Sequence, residues 1–298
     1  MISFIDSSHI LNRSQYGFRA NHDCIDAVSV LTSNALQAMD NNMITIAIMV
    51  DISKAFDNLD HKILLDKLSH YGFRGCSLQW FSSFLSGRSQ VTCYNSTLPS
   101  LLPIISGVPK GAVLSPLLFS LFVNDLPINI NSNVIQFADD TTIFASGRDA
   151  VDVIHSLNTD LNTFSAWCNQ NFLKVNIQKT KAICLKKRTT RPNLSIPLIF
   201  NNVPIPFSDS VQLLGIHLDP DLCWNAHISY LHKDLAKICY LLNTLKHILP
   251  KASLKQLYFA LFFSKLSYGL LLYGSATKTL LSPLFILQKK SHSICLFC

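Results

Sequence analysis

Val134-Ile135-Gln136-Phe137-Ala138-Asp139-Asp140-Thr141-Thr142-Ile143-Phe144 is the stretch around which the chain is organised. Apolar residues roughly alternate with small or polar ones on both sides of two adjacent aspartates. Alternation at period two predicts strand, and two polar residues between two such runs predict a hairpin with Asp139 and Asp140 at its tip. Asp-Asp is a poor hairpin turn, because like charges repel and glycine better supplies the positive φ such turns need. Two carboxylates held side by side are costly without a cation between or beside them. The pair is therefore a candidate metal site, with Mg²⁺ the expected ion for an all-oxygen ligand set. Taken alone, Asp-Asp reads more simply as a solvated turn; the neighbouring stretches reverse that reading.

Residues 43–50, Met-Ile-Thr-Ile-Ala-Ile-Met-Val, form a continuous apolar run of strand length, which predicts a strand buried on both faces. It leads directly into Asp51-Ile52-Ser53-Lys54-Ala55-Phe56-Asp57. A carboxylate at the exit of a central strand stands where ligands reach a sheet, although Asp51 is equally able to cap the turn that follows. Asp60 is the better cap, since Ile63, Leu64 and Leu68 follow at helical spacing and Gly72 suits the helix end. Between these stretches and the double aspartate lies Ser106-Gly107-Val108-Pro109-Lys110-Gly111, where two glycines around a proline predict irregular backbone open to close approach by a ligand. A helix is predicted from there to about Asp125, with Pro116 tolerated in its first turn.

Elsewhere apolar spacing predicts helices over residues 23–39, 78–85 and 151–169. Strands are predicted at 91–94, 101–105, 172–175 and 182–185, and one strand over 211–219 containing Gly215. After Trp224 the pattern is wholly helical, clearest at 227–247 and 253–269, so a boundary is placed near Asn225 between a mixed body and a helical subdomain. Residues 257–274 are apolar enough to suggest a membrane span, but Lys265 in their middle argues for a buried helix of a globular subdomain.

Composition adds limits. In 298 residues, 49% are hydrophobic and only 14% charged, enough for a large core under a surface thin in charge. The net charge of +7 permits an anionic partner without demanding one. Nine cysteines lack regular spacing and no secretory signal opens the chain, so reduced thiols in an intracellular protein are expected. Cys295 and Cys298 form a C-x-x-C that reads as half a zinc site or chance spacing.

Together the segments Gln15 to Arg19, Asp51 to Asp57, Ser106 to Phe119, Phe137 to Asp140, Leu173 to Lys181 and Leu213 to Gly215 resemble, in order, a reverse transcriptase of the non-LTR (LINE/jockey-like) retrotransposons. The signal lies in the combination: Phe-Ala-Asp-Asp whose Asp139 falls 88 residues after Asp51, with the Ser-Gly-Val-Pro segment between. The resemblance implies an α+β right-hand polymerase. Its antiparallel palm and partial fingers would take residues 1–225, and an all-helical thumb 226–298.

By the same resemblance Asp51 and Asp139 match the family's metal-binding aspartates, Asp140 is the adjacent palm aspartate, and the Ile52 carbonyl is a further ligand for two Mg²⁺ ions (Mn²⁺ as substitute). Phe56 matches the steric gate against a 2′-hydroxyl, and Lys110 and Gly111 lie beside the nucleotide, with Lys110 standing where the family usually has Gln. Lys179 matches the proton donor to pyrophosphate, and Leu214 and Gly215 lie in the primer grip. The chemistry explains the residue types, since in-line displacement at the α-phosphate needs carboxylates from distant segments to meet around two ions. Core packing is the plain alternative for Phe56, and a solvated lysine for Lys179.

The implied partners are an RNA template, a DNA primer and deoxynucleoside triphosphates, bound mainly through phosphates, without a membrane. The basic run 186–191 and Lys233, Lys237, Lys246 and Lys251 are candidate contacts or solvated surface. The expected setting is intracellular, with nuclear action. The chain is expected to start within the fingers, as a truncated piece of a longer element protein. The other reading is a catalytically inactive remnant that at most binds nucleic acid.

Overall fold

The structure, a computed structural model, describes residues 1–91 and 100–296. The strand predicted over 91–94, the turn after it and Cys298 of the C-x-x-C therefore fall wholly or largely outside the described residues. The chain divides into two compact units, residues 1–184 with 191–207, and residues 185–190 with 208–298.

The first unit begins with helices α1 (Ile2–Ser7) and α2 (Cys24–Asp40), then strand β1 (Ile44–Ser53). Helices α3 (His61–His70) and α4 (Gly75–Leu85), the short strands β2 (Ser89–Gln90) and β3 (Leu102–Pro103), and α5 (Ser115–Phe122) follow. The hairpin β4 (Asn133–Phe137) and β5 (Asp140–Gly147), helix α6 (Ala150–Gln170), and strands β6 (Lys174–Val175), β7 (Lys181–Leu185), β8 (Leu198–Phe200) and β9 (Val203–Ile205) complete it. Helix starts are set by side chains. Asp23 and Asp26 form a reciprocal capping box on α2, and the carboxylates of Asp60 and Asp149 accept backbone N–H groups at the starts of α3 and α6.

The central sheet runs β4-β5-β1-β6, with β7 also paired to β1, and the pairings β1–β5, β4–β5 and β1–β6 are antiparallel. Strand period two divides β1. Ile44, Ile46, Ile48 and Val50 join Ile143 of β5 in a core with Ile154, Leu157, Leu161 and Phe164 of α6. The odd-numbered residues of β1, Asp51 among them, take the opposite face. Helix α2 also packs on β1, β4 and β5, which accounts for the unbroken apolar run of β1. A second core under Ile52 gathers Leu64 and Leu68 of α3, Phe81 and Leu85 of α4, and Phe119 and Phe122 of α5. One half-buried cation ties three helices together. Lys67 Nζ donates to Phe122 O and Asp125 Oδ1, both at 2.7 Å, and lies over the rings of Phe122 and Trp167. Trp167 Nε1 donates to the same carboxylate at 3.1 Å. Burial lowers the lysine's pKa against the opposing pull of Asp125.

The second unit holds the hairpin β10 (Val211–Leu213) and β11 (Ile216–Leu218), then helices α7 (Asn225–Leu245), α8 (Lys251–Leu257), α9 (Ser264–Ser267), α10 (Leu270–Tyr273) and α11 (Lys278–Leu296). A π-helical turn over Tyr258–Phe263 joins α8 to α9, so the helix predicted at 253–269 is real but wound differently in its middle. The single strand expected over 211–219 is corrected to a hairpin. Leu214 and Gly215 both take positive φ, +46° and +83°, the conformation that closes a two-residue turn. No helix among the described residues is long and apolar enough to cross a membrane.

His227 near the start of α7 is 2% exposed, with its Nδ1 accepting from the His217 N–H at 3.4 Å. Burial, then the neighbouring His217, pulls its pKa down to about 4 from 6.5. The unfolded chain therefore takes up this proton first as pH falls. The stability contributed by neutral His227 is complete above about pH 6.5 and is lost on the way to pH 4, by up to about 3 kcal/mol. Thermal melting between pH 7.5 and 4.5 checks this: the midpoint should drop across that window, and His227→Asn should flatten the drop.

Candidate active site

The double aspartate sits at a hairpin whose tip is one residue earlier than the alternation suggested. Phe137 pairs with Asp140, which leaves Ala138 and Asp139 as the two loop residues, and Ala138 supplies the positive φ of +55°. Asp140 is thus the first residue of β5, and its cross-strand partner on β1 is Asp51. Directly opposed residues of an antiparallel pair hold their Cβ atoms about 4.5–5.5 Å apart on one face. Two aspartates from segments far apart in sequence share that face, with Asp139 adjacent at the exposed tip. Asp140 is exposed as a residue, yet its carboxyl is shielded at the strand end. That desolvation, then Asp139, then Asp51, raises its pKa.

The loops around this end are fastened to one another. Asp51 O accepts from Asn176 N–H at 2.8 Å, and the turn from Asn176 to Thr180 that carries exposed Lys179 is closed by Thr180 Oγ1 on Asn176 O at 2.9 Å. Phe56 lies on the short helical turn Ala55–Asp57, with its ring stacked on Phe119 at 4.5 Å and edge-on to Phe18 at 6.4 Å. The Ser106–Gly111 loop is pinned to that turn by Gly107 N–H on Leu59 O, Val108 N–H on Phe56 O and Ser106 Oγ on Asp57 O. A Cβ on Gly107 would stand 2.7 Å from Asp57 O. The close approach expected of this glycine is made by the chain itself rather than by a ligand, while the space beside Gly111 is open. Lys110 Nζ bonds Asp57 Oδ2 at 2.8 Å.

Residues 14–17 take a structural position that spacing did not reveal. Tyr16 and Gly17 N–H donate to Gln136 O, and Gln136 N–H donates to Ser14 O, so the segment lies along β4. A Cβ on Gly17 would fall 2.4 Å from Ala138 N. Gly17 thus packs directly under the loop that holds Asp139, a contact between residues over a hundred positions apart.

In the second unit Leu214 and Gly215 form the hairpin turn, where the Tyr268 hydroxyl donates to Leu214 O. The tightest group of ligand-type side chains among the described residues is also here, Asp219, Asp221 and Cys223, with ligand atoms within 4.8 Å of one another. Asp51, Asp139 and Asp140 are not gathered that closely. The group in the second unit, however, is occupied with capping. Asp219 accepts from Trp224 and Ala226 N–H at the start of α7, and Cys223 Sγ donates to Asp221 at 2.7 Å. Desolvation and the two aspartates push the thiol up to about 11, which keeps it the proton donor to Asp221. The cluster of Asp51, Asp139 and Asp140 offers carboxylates free of such duty and an all-oxygen donor set, which fits Mg²⁺ or Mn²⁺.

Comparison with known proteins bears on the family and the fold. The family model described as reverse transcriptase (RNA-dependent DNA polymerase) matches residues 2–218. The chain is 28% identical to the probable RNA-directed DNA polymerase from transposon BS of Drosophila melanogaster, over 95% of this chain and 32% of that protein. It is 27% identical to the RNA-directed DNA polymerase from mobile element jockey of the same fly, over 96% of this chain and 32% of that one. The chain thus spans about a third of the length of these relatives. Among solved structures it resembles telomerase from Candida albicans in complex with a fragment of telomeric RNA, with a TM-score of 0.55 at 12% identity over 98% of this chain and 55% of that one. Apo telomerase from Candida tropicalis gives 0.52 at 12% identity over 98% and 48%. These likenesses bear on the fold alone and agree with a polymerase-like α+β palm.

Proposed function

The chain belongs to the reverse transcriptase family, in its non-LTR, LINE-like branch, and from that premise we propose that it copies an RNA template by adding deoxynucleotides to a DNA primer 3′-hydroxyl. The observation that carries the proposal is the cross-strand pairing of Asp51 with Asp140 beside Asp139 at the hairpin tip. Asp51 and Asp139 hold two divalent ions, Mg²⁺ or Mn²⁺, with the Ile52 carbonyl as an added ligand and Asp140 as the supporting carboxylate. When bound, the ions supply charge neutralisation at the attacking and leaving oxygens. Desolvation first, then the charges of Asp139 and Asp51, raise the pKa of Asp140, and a bound cation would favour its charged form.

The remaining roles follow from position. Phe56, held between Phe119 and Phe18, excludes a 2′-hydroxyl by volume, and Lys110 and Gly111 flank the incoming nucleotide. Lys179, on the turn docked to the Asp51 backbone, donates a proton to the departing pyrophosphate. Leu214 and Gly215 grip the primer from their tight turn. On this reading residues 1–225 are palm and partial fingers, and the helices of 226–298 a thumb. Nuclear action on chromosomal DNA is part of this reading.

Primer extension on an RNA template with Mg²⁺ tests it: extension is expected, and binding of template-primer without extension in either Mg²⁺ or Mn²⁺ would identify an inactive remnant instead. Phe56→Ala should relax discrimination against ribonucleotides by about 10- to 100-fold, because removing a clash at one oxygen is worth a few kcal/mol. The ratio of kcat/KM for deoxy- and ribonucleotides measures it.

A further inference from the structure

Apart from the aspartate cluster, the first unit carries a concavity of about 610 Å³ to which that cluster contributes no side chain. It lies between the Lys54–Asn58 turn, β2 and the segment from Pro103 to Lys110. Among the described residues three cations line it, Lys54, Arg88 and Lys110, against one carboxylate, Asp57. Asp57 is spent on Lys110 at 2.8 Å, an exposed ion pair that is weak and yields readily to a stronger anion. Arg88 is steadied by Gly107 O at 3.5 Å, and Lys54 is set at the start of its turn by a left-handed backbone, φ +47°. Ile105, 83% exposed, stands in the same wall. The floor is fastened by the Ser106 hydroxyl on the Asp57 carbonyl and the Gly107 N–H on the Leu59 carbonyl.

We propose that this concavity seats the phosphodiester backbone of the single-stranded template as it approaches the aspartate cluster, with Lys54 and Arg88 neutralising its phosphates and Lys110 at the end of the wall that borders the incoming nucleotide. The proposal rests on the polymerase reading for the identity of the strand. Spread cations around an open, polar trough match a chain of single charges, and an exposed aliphatic side chain offers bases a surface to rest on. A nucleoside triphosphate needs neither feature, and it needs a metal ion, whose carboxylates are not among the residues of this wall. Single-strand binding of this kind is electrostatic and salt-dependent.

The test is the anisotropy of a short labelled single-stranded RNA titrated with the full chain over a range of salt. Lys54→Gln and Arg88→Gln should each weaken binding by about fivefold at about 0.1 M salt and reduce the slope of log K against log salt by about 0.7, the value for one phosphate contact to a single strand. Lys62→Gln, on the exposed face of α3, is the control for net charge. An equal loss with Lys62→Gln, or no change in slope with the two trough variants, would overturn the proposal. So would a raised KM for the deoxynucleotide with unchanged RNA binding, which would place the triphosphate there. If Arg88→Gln misfolds, exposed Lys54→Gln carries the test, and Arg88→Lys should restore the slope. RNA binding is read without extension, so the outcomes separate. A wild-type chain that fails to extend primers but shows the slope changes would refute the polymerase reading and keep the trough.

Discussion

Asp139→Ala should lower primer extension by at least about a thousandfold while leaving the fold unchanged. The residue is the exposed second loop position of the β4–β5 hairpin, and among the described residues its recorded influence is electrostatic, raising the pKa of Asp140. Truncating an exposed loop side chain changes stability by about 0.5 kcal/mol or less. Here the sign should be slightly favourable, since one of three crowded carboxylates is gone. Catalysis loses a ligand to the ions that neutralise the transferring phosphate, an effect of several kcal/mol. Matched melting curves beside lost extension are the expected result. A parallel loss of both would mean that Asp139 is structural.

Gly17→Ala is the second large effect, and it comes from a residue without any reactive group. The added methyl would have to occupy a point 2.4 Å from Ala138 N and 3.0 Å from Phe137 C, backbone atoms with no side-chain freedom to move aside. Overpacking of this kind costs about 1–3 kcal/mol of stability. Its larger cost is positional, because the backbone pushed away carries Asp139. Misplacing a reacting group by about 1 Å can cost about a hundredfold in rate. The expected signature is a fall in kcat of that order, with the deoxynucleotide KM little changed and the chain still folded at 25 °C. A fall in stability with kcat preserved would show that the hairpin tip repositions itself without Gly17.

What was legible in the sequence follows from how local each cause is. Asp60 capping α3, the long amphipathic α6 and the apolar β1 are dictated within a few residues, and they formed as their spacing required. The hairpin at the double aspartate was legible, but its register was not. Period two cannot distinguish Ala138-Asp139 from Asp139-Asp140 as the turn, and the choice is made by pairing with β1. The Leu214-Gly215 turn was hidden because a leucine at positive φ is unusual and the flanking residues read as one run. The β8–β9 hairpin, turned at Asn201 and Asn202 with φ of +48° and +64°, gave too short a pattern to notice. Gly17 against Ala138 and Gly107 against Asp57 are contacts across the fold, and a sequence marks such glycines only as flexible. The family resemblance brought the distant carboxylates into one frame; the antiparallel register of β1 and β5 supplies the physical reason they share a face.

The central claim is that Asp51 and Asp139 hold a pair of divalent ions at the end of β1. Counting Mn²⁺ bound to the chain in the presence of template, a primer lacking its 3′-hydroxyl and the next deoxynucleotide tests it most directly. The account predicts two ions for the wild type and fewer than two for both Asp51→Asn and Asp139→Ala, with Asp221→Asn unchanged. Two ions retained in the Asp51→Asn, Asp139→Ala double variant would contradict it, because the metal would then be held elsewhere.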